Sequence, residues 1–256
     1  MLAIDIGNTN TVFGWYEGAH LRHHWRVLTQ PARTADEYGL LLGNLLADAG
    51  IGAARGGAVS VAVSSVVPAM SPVIATACRD YLGATPLFVG PGVKTGMRIL
   101  YDDPRQLGSD RIVNAVAAYE RTRAATIVVD LGTATKLEYV SPAGAYVGGV
   151  IAPGVGISGD ALFARAARLS HVALGQPAHV VGRNTADAVQ SGMFYGYVAM
   201  IDGLVARIRA ENGSTRVIAT GGFAPLLAPA SATIEEVDEF LTLDGIRLVF
   251  ERNRPH

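Results

Sequence analysis

The sequence has little cysteine and little net charge, and each of these features argues against a class of protein. Cys78 is the single cysteine among 256 residues, which excludes a disulfide within the chain and a cysteine-based zinc cluster. The 21 Lys and Arg nearly balance the 22 Asp and Glu, so no strong positive field is available to attract a nucleic acid. We therefore expect a protein of a reducing compartment without a nucleic acid partner.

Long apolar runs are also missing. The opening residues Met1–Asp5 bring in a carboxylate at once, without the basic and apolar regions of a signal peptide. The apolar run Val59–Val67 is too short, and too interrupted by serine, to cross a bilayer. These patterns predict a cytoplasmic protein with no membrane partner.

What is present favours a well-filled α/β fold. Half of the residues are hydrophobic and 17% are charged, a composition typical of globular proteins. Apolar residues at helical spacing over Thr34–Ala49 and Met70–Leu82 alternate with strand-like runs over Val59–Val66 and Pro86–Val89. This alternation indicates an α/β class, and the length allows either one large domain or two lobes, of which we expect two.

The second half continues the alternation. We predict helices over Gln106–Thr122, around Ser158–Leu169 and from about Thr185 to Glu211. The glycine-rich segment 148–156 is expected to be a loop, and Arg216–Thr220 a strand.

An internal echo is the most informative feature of the chain. An apolar strand is followed by Asp5, an apolar residue, Gly7, small polar residues and a second strand, and the same order returns with Asp130 and Gly132 at an offset of 125 residues. Each copy reads as two strands joined by a tight turn, where glycine permits the backbone path and the polar residues hydrogen-bond locally. The echo predicts one hairpin in each of two lobes, over residues 1–118 and 119–256.

A strand that ends in Asp-x-Gly before hydroxyl and amide residues suits a nucleoside triphosphate. Glycine lets backbone amides approach phosphate oxygens, Asn and Thr donate to them, and the Asp binds magnesium directly or through water. One such turn is equally compatible with an ordinary hairpin. Two equivalent copies predict hairpins that clamp a phosphate chain from both sides of an interlobe cleft. Val217–Gly222 adds a strand ending in glycines, suited to the nucleoside or, alternatively, to helix capping.

These parts resemble the phosphate-1, phosphate-2 and adenosine motifs of the superfamily of acetate and sugar kinases, heat-shock chaperones and actin. Within it, the sequence most resembles type III pantothenate kinases, over nearly the whole chain. The motifs that carry this resemblance are Asp5–Thr11, Gly90–Gly96, Tyr101–Pro104, Gly108–Asn114, Gly148–Gly154 and Thr220–Gly222.

The resemblance implies a two-lobed actin-like ATPase (ribonuclease H-like) fold with duplicated lobes. It implies ATP-dependent phosphorylation of pantothenate to 4'-phosphopantothenate, the first step of coenzyme A biosynthesis. The implied cofactors are ATP, Mg²⁺ and a monovalent cation, K⁺ or NH₄⁺, and the implied assembly is a homodimer. Two alternatives stay open: a non-catalytic accessory or regulatory protein, and a kinase of another small alcohol on the same fold.

Asp110 is the candidate catalytic base, because it matches the aspartate of the family's Gly-x-Asp-Arg element. A carboxylate near an acceptor hydroxyl can take its proton during phosphoryl transfer. The alternative is an acidic residue favoured by the dipole of a helix N-terminus. Arg111 is a candidate clamp for an anionic substrate. The substrate-binding residues implied by the resemblance are Tyr101, Gly108, Ser109, Asp110, Arg111 and Thr185.

Nucleotide and metal residues follow from the same resemblance. The nucleotide-binding residues are Asp5, Ile6, Gly7, Asn8, Thr9, Asn10, Thr11, Val12 and Thr133. Asp130 and Asp5 are the predicted metal ligands, and Asp130 matches the position associated with the monovalent cation.

The second hairpin departs from the family pattern. Lys136 stands where the family commonly has a hydroxyl residue, and Glu138 stands where it has Asp. One hypothesis is that the Lys136 ammonium reaches the phosphate or cation region and reduces the potassium requirement. The alternative is a solvated strand lysine paired with Glu138.

Overall fold

A computed structural model describes residues 1–52, 59–165 and 172–254. The chain divides into two compact units. The first unit comprises the described parts of Met1–Met97, Asp102–Ala117 and Thr242–His256, and the second comprises those of Arg98–Tyr101 and Ala118–Leu241. The last segment of the chain therefore groups with the first unit, while the predicted lobe boundary at 118/119 stays a prediction.

Strands of the two units form two separate sheets. In chain order they are β1 Leu2–Ile6, β2 Asn10–Glu17, β3 His20–Leu28, β4 Val61–Ser65, β5 Leu87–Phe88, β6 Arg98–Ile99, β7 Thr126–Leu131, β8 Ala134–Val140, β9 Ala145–Pro153, β10 Arg216–Thr220 and β11 Glu236–Val237.

Seven α-helices accompany these strands in the described residues. They are α1 Ala35–Asp48, α2 Met70–Leu82, α3 Ser109–Thr122, α4 Val155–Arg165, α5 Thr185–Asn212, α6 Ala224–Leu227 and α7 Leu241–Arg252. The part of the predicted helix 158–169 beyond Arg165 lies outside the described residues.

One face of the first unit's sheet packs against α1 and α2. The sheet has the order β3-β2-β1-β4-β5, with β1 antiparallel to β2 and parallel to β4. Alternate β1 residues, such as Ile4, bury their side chains in a core shared with Leu42 of α1 and Ile74 of α2, as the period-2 pattern of a strand requires. The alternate residues between them, including Asp5, therefore face away from this core.

Contacts of α3 and α7 complete the first unit. The Thr242 hydroxyl of α7 donates to Asn114 Oδ1 of α3 at 2.7 Å. The Tyr16 hydroxyl of β2 donates to Asp244 Oδ1 of α7 at 2.8 Å. A side chain at Gly245 would overlap the Val113 carbonyl, so glycine there permits the close approach of the two helices.

The second unit has a six-stranded sheet of order β11-β10-β7-β8-β9-β6. Ile127 and Val129 of β7 pack with Phe194 and Ile201 of α5 in a buried core. Because β7 alternates between two faces, Asp130 faces away from this core. The helix α5 begins at an Asn184 cap, whose side chain accepts from the Asp187 amide.

The two sheets share one topology, which confirms the duplication that the echo predicts. The order β3-β2-β1-β4-β5 in the first corresponds to β9-β8-β7-β10-β11 in the second. In each, the Asp-bearing strand is antiparallel to the next strand and parallel to a later one: Asp5 pairs with Val12, and Asp130 with Lys136. The α/β fold class expected from the sequence is therefore confirmed.

The expectation of a loop over residues 148–156 is wrong for most of that segment. Residues up to Pro153 belong to β9, which pairs with β8 from Ala134 to Val140. Gly149 has no room for a side chain, because a Cβ would overlap the Leu137 carbonyl and the Glu138 side chain. Gly149 therefore allows close strand packing instead of marking a loop.

Within the described residues, no helix combines the length and apolar character that a bilayer crossing would need.

Candidate functional site

The first hairpin turn is closed by its own backbone. The Gly7 amide donates to the Asn10 carbonyl at 3.0 Å, and Asn8 and Thr9 at the tip are exposed. A Cβ on Gly7 would lie 3.1 Å from the Asn10 oxygen, so glycine keeps this turn tight. The tip therefore presents amide and hydroxyl groups of the kind that bind phosphate.

Thr29, which follows β3, forms hydrogen bonds to this turn. Its hydroxyl donates to the Gly7 carbonyl at 2.7 Å and lies 3.0 Å from the Thr11 hydroxyl, while its amide donates to the Thr9 carbonyl at 2.9 Å. The sequence reasoning missed Thr29, because a single threonine after a strand carries no signal of a distant turn. It preorganises the backbone of the predicted nucleotide loop.

Asp5 lies at the end of β1, directly before this turn. It is partly buried and pairs with Val12 across the hairpin, while the adjacent Ile6 is a core residue. Mg²⁺ in nucleotide sites takes one or two carboxylates and fills its other positions with water and phosphate oxygens. One carboxylate beside an exposed polar turn fits that requirement. Among the described residues no group of three or more His, Cys, Asp or Glu could hold a metal.

Asp110 occupies the first turn of α3, as the motif predicts. The Arg111 amide donates to Asp110 Oδ1 at 2.8 Å, and a Cβ on Gly108 would lie 2.5 Å from the same oxygen. Gly108 is therefore required for the position of this carboxylate. The adjacent residue Arg111 is buried.

Ser109 connects the Asp110 turn to the strand beside Asp5. Its hydroxyl lies 3.0 Å from the Ser64 hydroxyl, accepts from the Ser65 amide at 3.0 Å and lies 3.2 Å from the Ser65 carbonyl. Ser64 is the β4 partner of Asp5 in the parallel pair. The structure thus brings Asp5 and the start of α3 to the same end of the first unit's sheet.

The predicted substrate residue Tyr101 lies in the second unit. Its ring meets the edge of the Tyr146 ring, with centroids 6.1 Å apart. The Tyr146 hydroxyl in turn donates to the buried Glu138 carboxylate. From the sequence, Glu138 was considered as a departure from the family and as a partner of Lys136, whereas the structure shows that it holds the tyrosine against which Tyr101 packs.

The segment after Tyr101 carries its own ion pair. Arg105 Nε lies 2.9 Å from Asp103 Oδ1. The Arg105 side chain, followed by its backbone amide, lowers the pKa of Asp103 below its ordinary value. Asp103 therefore stays ionised and caps the short turn that leads toward α3.

Thr185, the other predicted substrate residue of the second unit, is the first residue of α5. It is exposed and lines an open pocket of about 570 Å³ with neighbouring residues, which are Gly182, Arg183, Asn184, Ala188 and Val189. Its role as a substrate contact stays a prediction.

Two glycines from other parts of the chain, Gly154 and Gly221, pack against the second hairpin turn. The Gly132 amide donates to the Ala134 carbonyl at 3.1 Å, closing the turn that exposes Thr133. A Cβ on Gly221, whose φ is +94°, would lie 2.7 Å from the Leu131 carbonyl and 2.8 Å from Asp130 Oδ1. Gly154 packs as tightly against the Thr133 carbonyl. Gly221, which follows β10, therefore meets the second turn directly.

Asp130 is engaged by a lysine. Lys136 Nζ lies 2.7 Å from Asp130 Oδ2, and the two side chains are only 14% and 15% exposed. The carboxylate that the family resemblance assigns to a monovalent cation thus already binds a cation of the chain. These residues do not fit a bound K⁺ on Asp130.

The comparisons decide the family. The family model described as type III pantothenate kinase matches residues 1–207. The chain belongs to the type III pantothenate kinase family. It is 55% identical to the type III pantothenate kinase of Anaeromyxobacter sp. (strain Fw109-5) over 99% of this chain and 100% of that one. It is 52% identical to that of Myxococcus xanthus (strain DK1622) over 99% of this chain and 98% of that one.

Solved structures agree on the fold. A protein of Campylobacter jejuni described as a Baf family transcriptional activator has a TM-score of 0.61, at 18% identity, and covers 99% of this chain and 98% of that one. A Sinorhizobium meliloti protein described as a 2-dehydro-3-deoxygalactonokinase has a TM-score of 0.55, at 14% identity, over 100% and 97%. At these identities the likeness concerns the fold, and it agrees with the actin-like class expected for this pantothenate kinase family member.

Proposed function

We propose that this protein transfers the γ-phosphoryl group of ATP to the primary hydroxyl of pantothenate and releases ADP and 4'-phosphopantothenate. Family membership supports the reaction class. The structural observation that supports it best is the fixed position of Asp110 at the start of α3, tied through Ser109 and Ser64 to the strand end that carries Asp5.

Asp110 acts as the general base in this proposal. As the acceptor hydroxyl oxygen bonds to the γ-phosphorus, its proton passes to the Asp110 carboxylate, and the bond from phosphorus to the ADP oxygen breaks. The Arg111 amide orients the carboxylate, and the buried Arg111 guanidinium suits the pantothenate carboxylate. Phosphoryl transfer needs mainly positioning and charge stabilisation, which a helix N-terminus and a fixed carboxylate supply.

The nucleotide is assigned to the polar hairpin turns. The exposed tip residues Asn8 and Thr9 of the first turn donate to phosphate oxygens, and Asp5 holds Mg²⁺. Mg²⁺ neutralises phosphate charge when it is bound. Thr133 is proposed as a further nucleotide contact, and Gly221 leaves bare backbone for the nucleoside, as the adenosine motif implies.

We also propose that the protein is a homodimer and acts in the cytoplasm, where ATP is available. The exposed side of α5 supports a dimer, because it carries small residues at helical spacing. These are Gly192, Gly196, Ala199 and Gly203. A Cβ at each of the three glycines would meet no atom within 4 Å, so a second helix could approach closely. Light scattering during size-exclusion chromatography tests this directly.

A substrate panel tests the proposed reaction. The purified chain is incubated with ATP and Mg²⁺ and with pantothenate or another small alcohol, and the product is identified by mass spectrometry. We expect phosphate to appear on pantothenate. Transfer to another alcohol with none to pantothenate would assign a different acceptor, and no transfer to any acceptor would favour an accessory protein.

A further inference from the structure

The ion pair between Lys136 and Asp130 is largely shielded from water. Its two side chains are 14% and 15% exposed, whereas the Arg216 and Glu235 pair of the same unit is 58% and 36% exposed. Charges withdrawn from water interact more strongly, and breaking such a pair leaves an uncompensated charge. The sequence places Lys136 directly opposite Asp130 in the β7 and β8 register.

The Lys136 ammonium offsets the negative charge of neighbouring carboxylates. Glu138 lies two residues further along the same strand, on the same face as Lys136, and is buried. Its carboxylate accepts the Tyr146 hydroxyl. Two carboxylates therefore line this face of the hairpin, and a phosphate bound at the adjacent turn would add further negative charge.

We propose that the Lys136 ammonium replaces the monovalent cation of this enzyme, a proposal that rests on the proposed function. An ammonium group has the single charge of K⁺ and, like NH₄⁺, binds oxygen ligands through hydrogen bonds. Held on Asp130 by the hairpin, it cancels that carboxylate's repulsion of a phosphate bound at the adjacent turn. The chain thus carries its own cation, and its turnover does not depend on K⁺.

Thallium binding tests the proposal without relying on turnover, because Tl⁺ is a K⁺ mimic visible by ²⁰⁵Tl NMR. We expect wild type to show no specific Tl⁺ signal and the same melting temperature in KCl as in tetramethylammonium chloride at equal ionic strength. Lys136→Thr, which shortens the side chain and leaves Asp130 in place, should gain a Tl⁺ signal and a K⁺-dependent rise in melting temperature.

Turnover gives the second measurement. We expect wild-type kcat to be unchanged by K⁺, and Lys136→Thr to lose about 10²-fold without K⁺ and to recover much of this loss with K⁺. Arg216→Thr is the matched control, since it removes an exposed ion pair of the same unit and should show neither Tl⁺ binding nor a K⁺ requirement.

Opposite results would overturn the proposal. They are specific Tl⁺ binding to wild type, strictly K⁺-dependent wild-type turnover, or a Lys136→Thr variant that behaves as wild type. The wild-type measurements need no variant, so misfolding of Lys136→Thr would not remove the test. If no salt supports phosphorylation of pantothenate, the proposed function fails. The Tl⁺ signal and the melting temperatures still test the role of Lys136 in that case.

Discussion

The hydroxyl oxygens of Ser64 and Ser109 lie 3.0 Å apart and join the strand beside Asp5 to the helix that carries Asp110. Both serines are buried. A buried hydroxyl that loses its partner costs more than the hydrogen bond itself contributes, because the remaining group stays desolvated. This pair therefore links the stability of the first unit to the geometry of its candidate catalytic carboxylate.

Replacing both serines of this pair should cost less than the sum of the two single replacements, because the shared hydrogen bond is lost only once. We expect Ser109→Ala to lower the free energy of unfolding by about 1–2 kcal/mol and to reduce kcat moderately, since Asp110 is the next residue. Urea unfolding of the two single variants and the Ser64→Ala/Ser109→Ala double variant measures the coupling. Strictly additive losses would show that the two hydroxyls do not depend on each other.

Tyr146→Phe should destabilise the second unit. It removes the hydroxyl that donates to the buried Glu138 carboxylate, which we expect to cost about 1–3 kcal/mol. Because Tyr101 packs on the Tyr146 ring, the KM for pantothenate should rise as well. Thermal melts and steady-state kinetics measure both effects.

Tyr81→Phe is the control for this prediction. It removes a hydroxyl that donates to Asp36 at 2.8 Å in an exposed pair, so the loss of stability should be much smaller than for Tyr146→Phe. Equal losses in the two variants would argue that burial of Glu138 does not matter.

Gly221→Ala should weaken ATP binding and stability together. A methyl group there would lie 2.7 Å from the Leu131 carbonyl and 2.8 Å from Asp130 Oδ1 at a φ of +94°, so the second turn must move. Gly213→Ala is the control for backbone strain without steric overlap. Gly213 has a φ of +85°, and a Cβ there would meet nothing within 4 Å. We expect about 1 kcal/mol for Gly213→Ala and a larger loss, with a raised KM for ATP, for Gly221→Ala. Equal effects would contradict the close packing.

Asp202 should make the protein's stability depend on pH in the acid range. Partial burial acts to raise the pKa of Asp202, but hydrogen bonds from Ser231, Thr233 and two backbone amides outweigh it, so the pKa lies below the ordinary 3.8. A carboxyl group with a lowered pKa stabilises the fold above pH 3.8 and loses this contribution as the pH falls through its folded-state pKa.

Asp202→Asn tests the predicted direction of this pH dependence. The variant should be less stable than wild type by about 1 kcal/mol near neutral pH, because the group is partly exposed. The difference should shrink as the pH falls below 3.8. Chemical denaturation at several pH values measures it, and a difference that grows toward low pH would contradict the assignment.

Much of the fold follows from local sequence. Met70–Leu82 and Arg216–Thr220 have the predicted bounds, because apolar spacing and flanking turn residues define them locally. The echo of Asp5 and Asp130 predicted a duplicated topology, since the same hairpin pattern occurs twice. The prediction of a loop for the glycine-rich segment was wrong because Gly149 serves strand packing, which depends on the partner strand β8.

The features that the sequence did not predict depend on contacts between residues far apart in the chain. The resemblance assigned Ser109 only to substrate binding, whereas its hydroxyl meets Ser64, which lies 45 residues away. The Lys136 substitution was visible, but whether its ammonium reaches Asp130 depends on the register of β7 and β8. Such pairings are set by tertiary structure and not by local pattern.

The central claim is that Asp110 is the base of a pantothenate kinase, and Asp110→Asn tests it most directly. The matched control is Asp36→Asn, which also changes an acidic residue in the first turn of a helix. We predict that kcat for phosphorylation of pantothenate by ATP falls about 10²–10⁴-fold in Asp110→Asn, with wild-type circular dichroism and little change in Asp36→Asn. A folded Asp110→Asn variant that retains wild-type kcat would contradict the account.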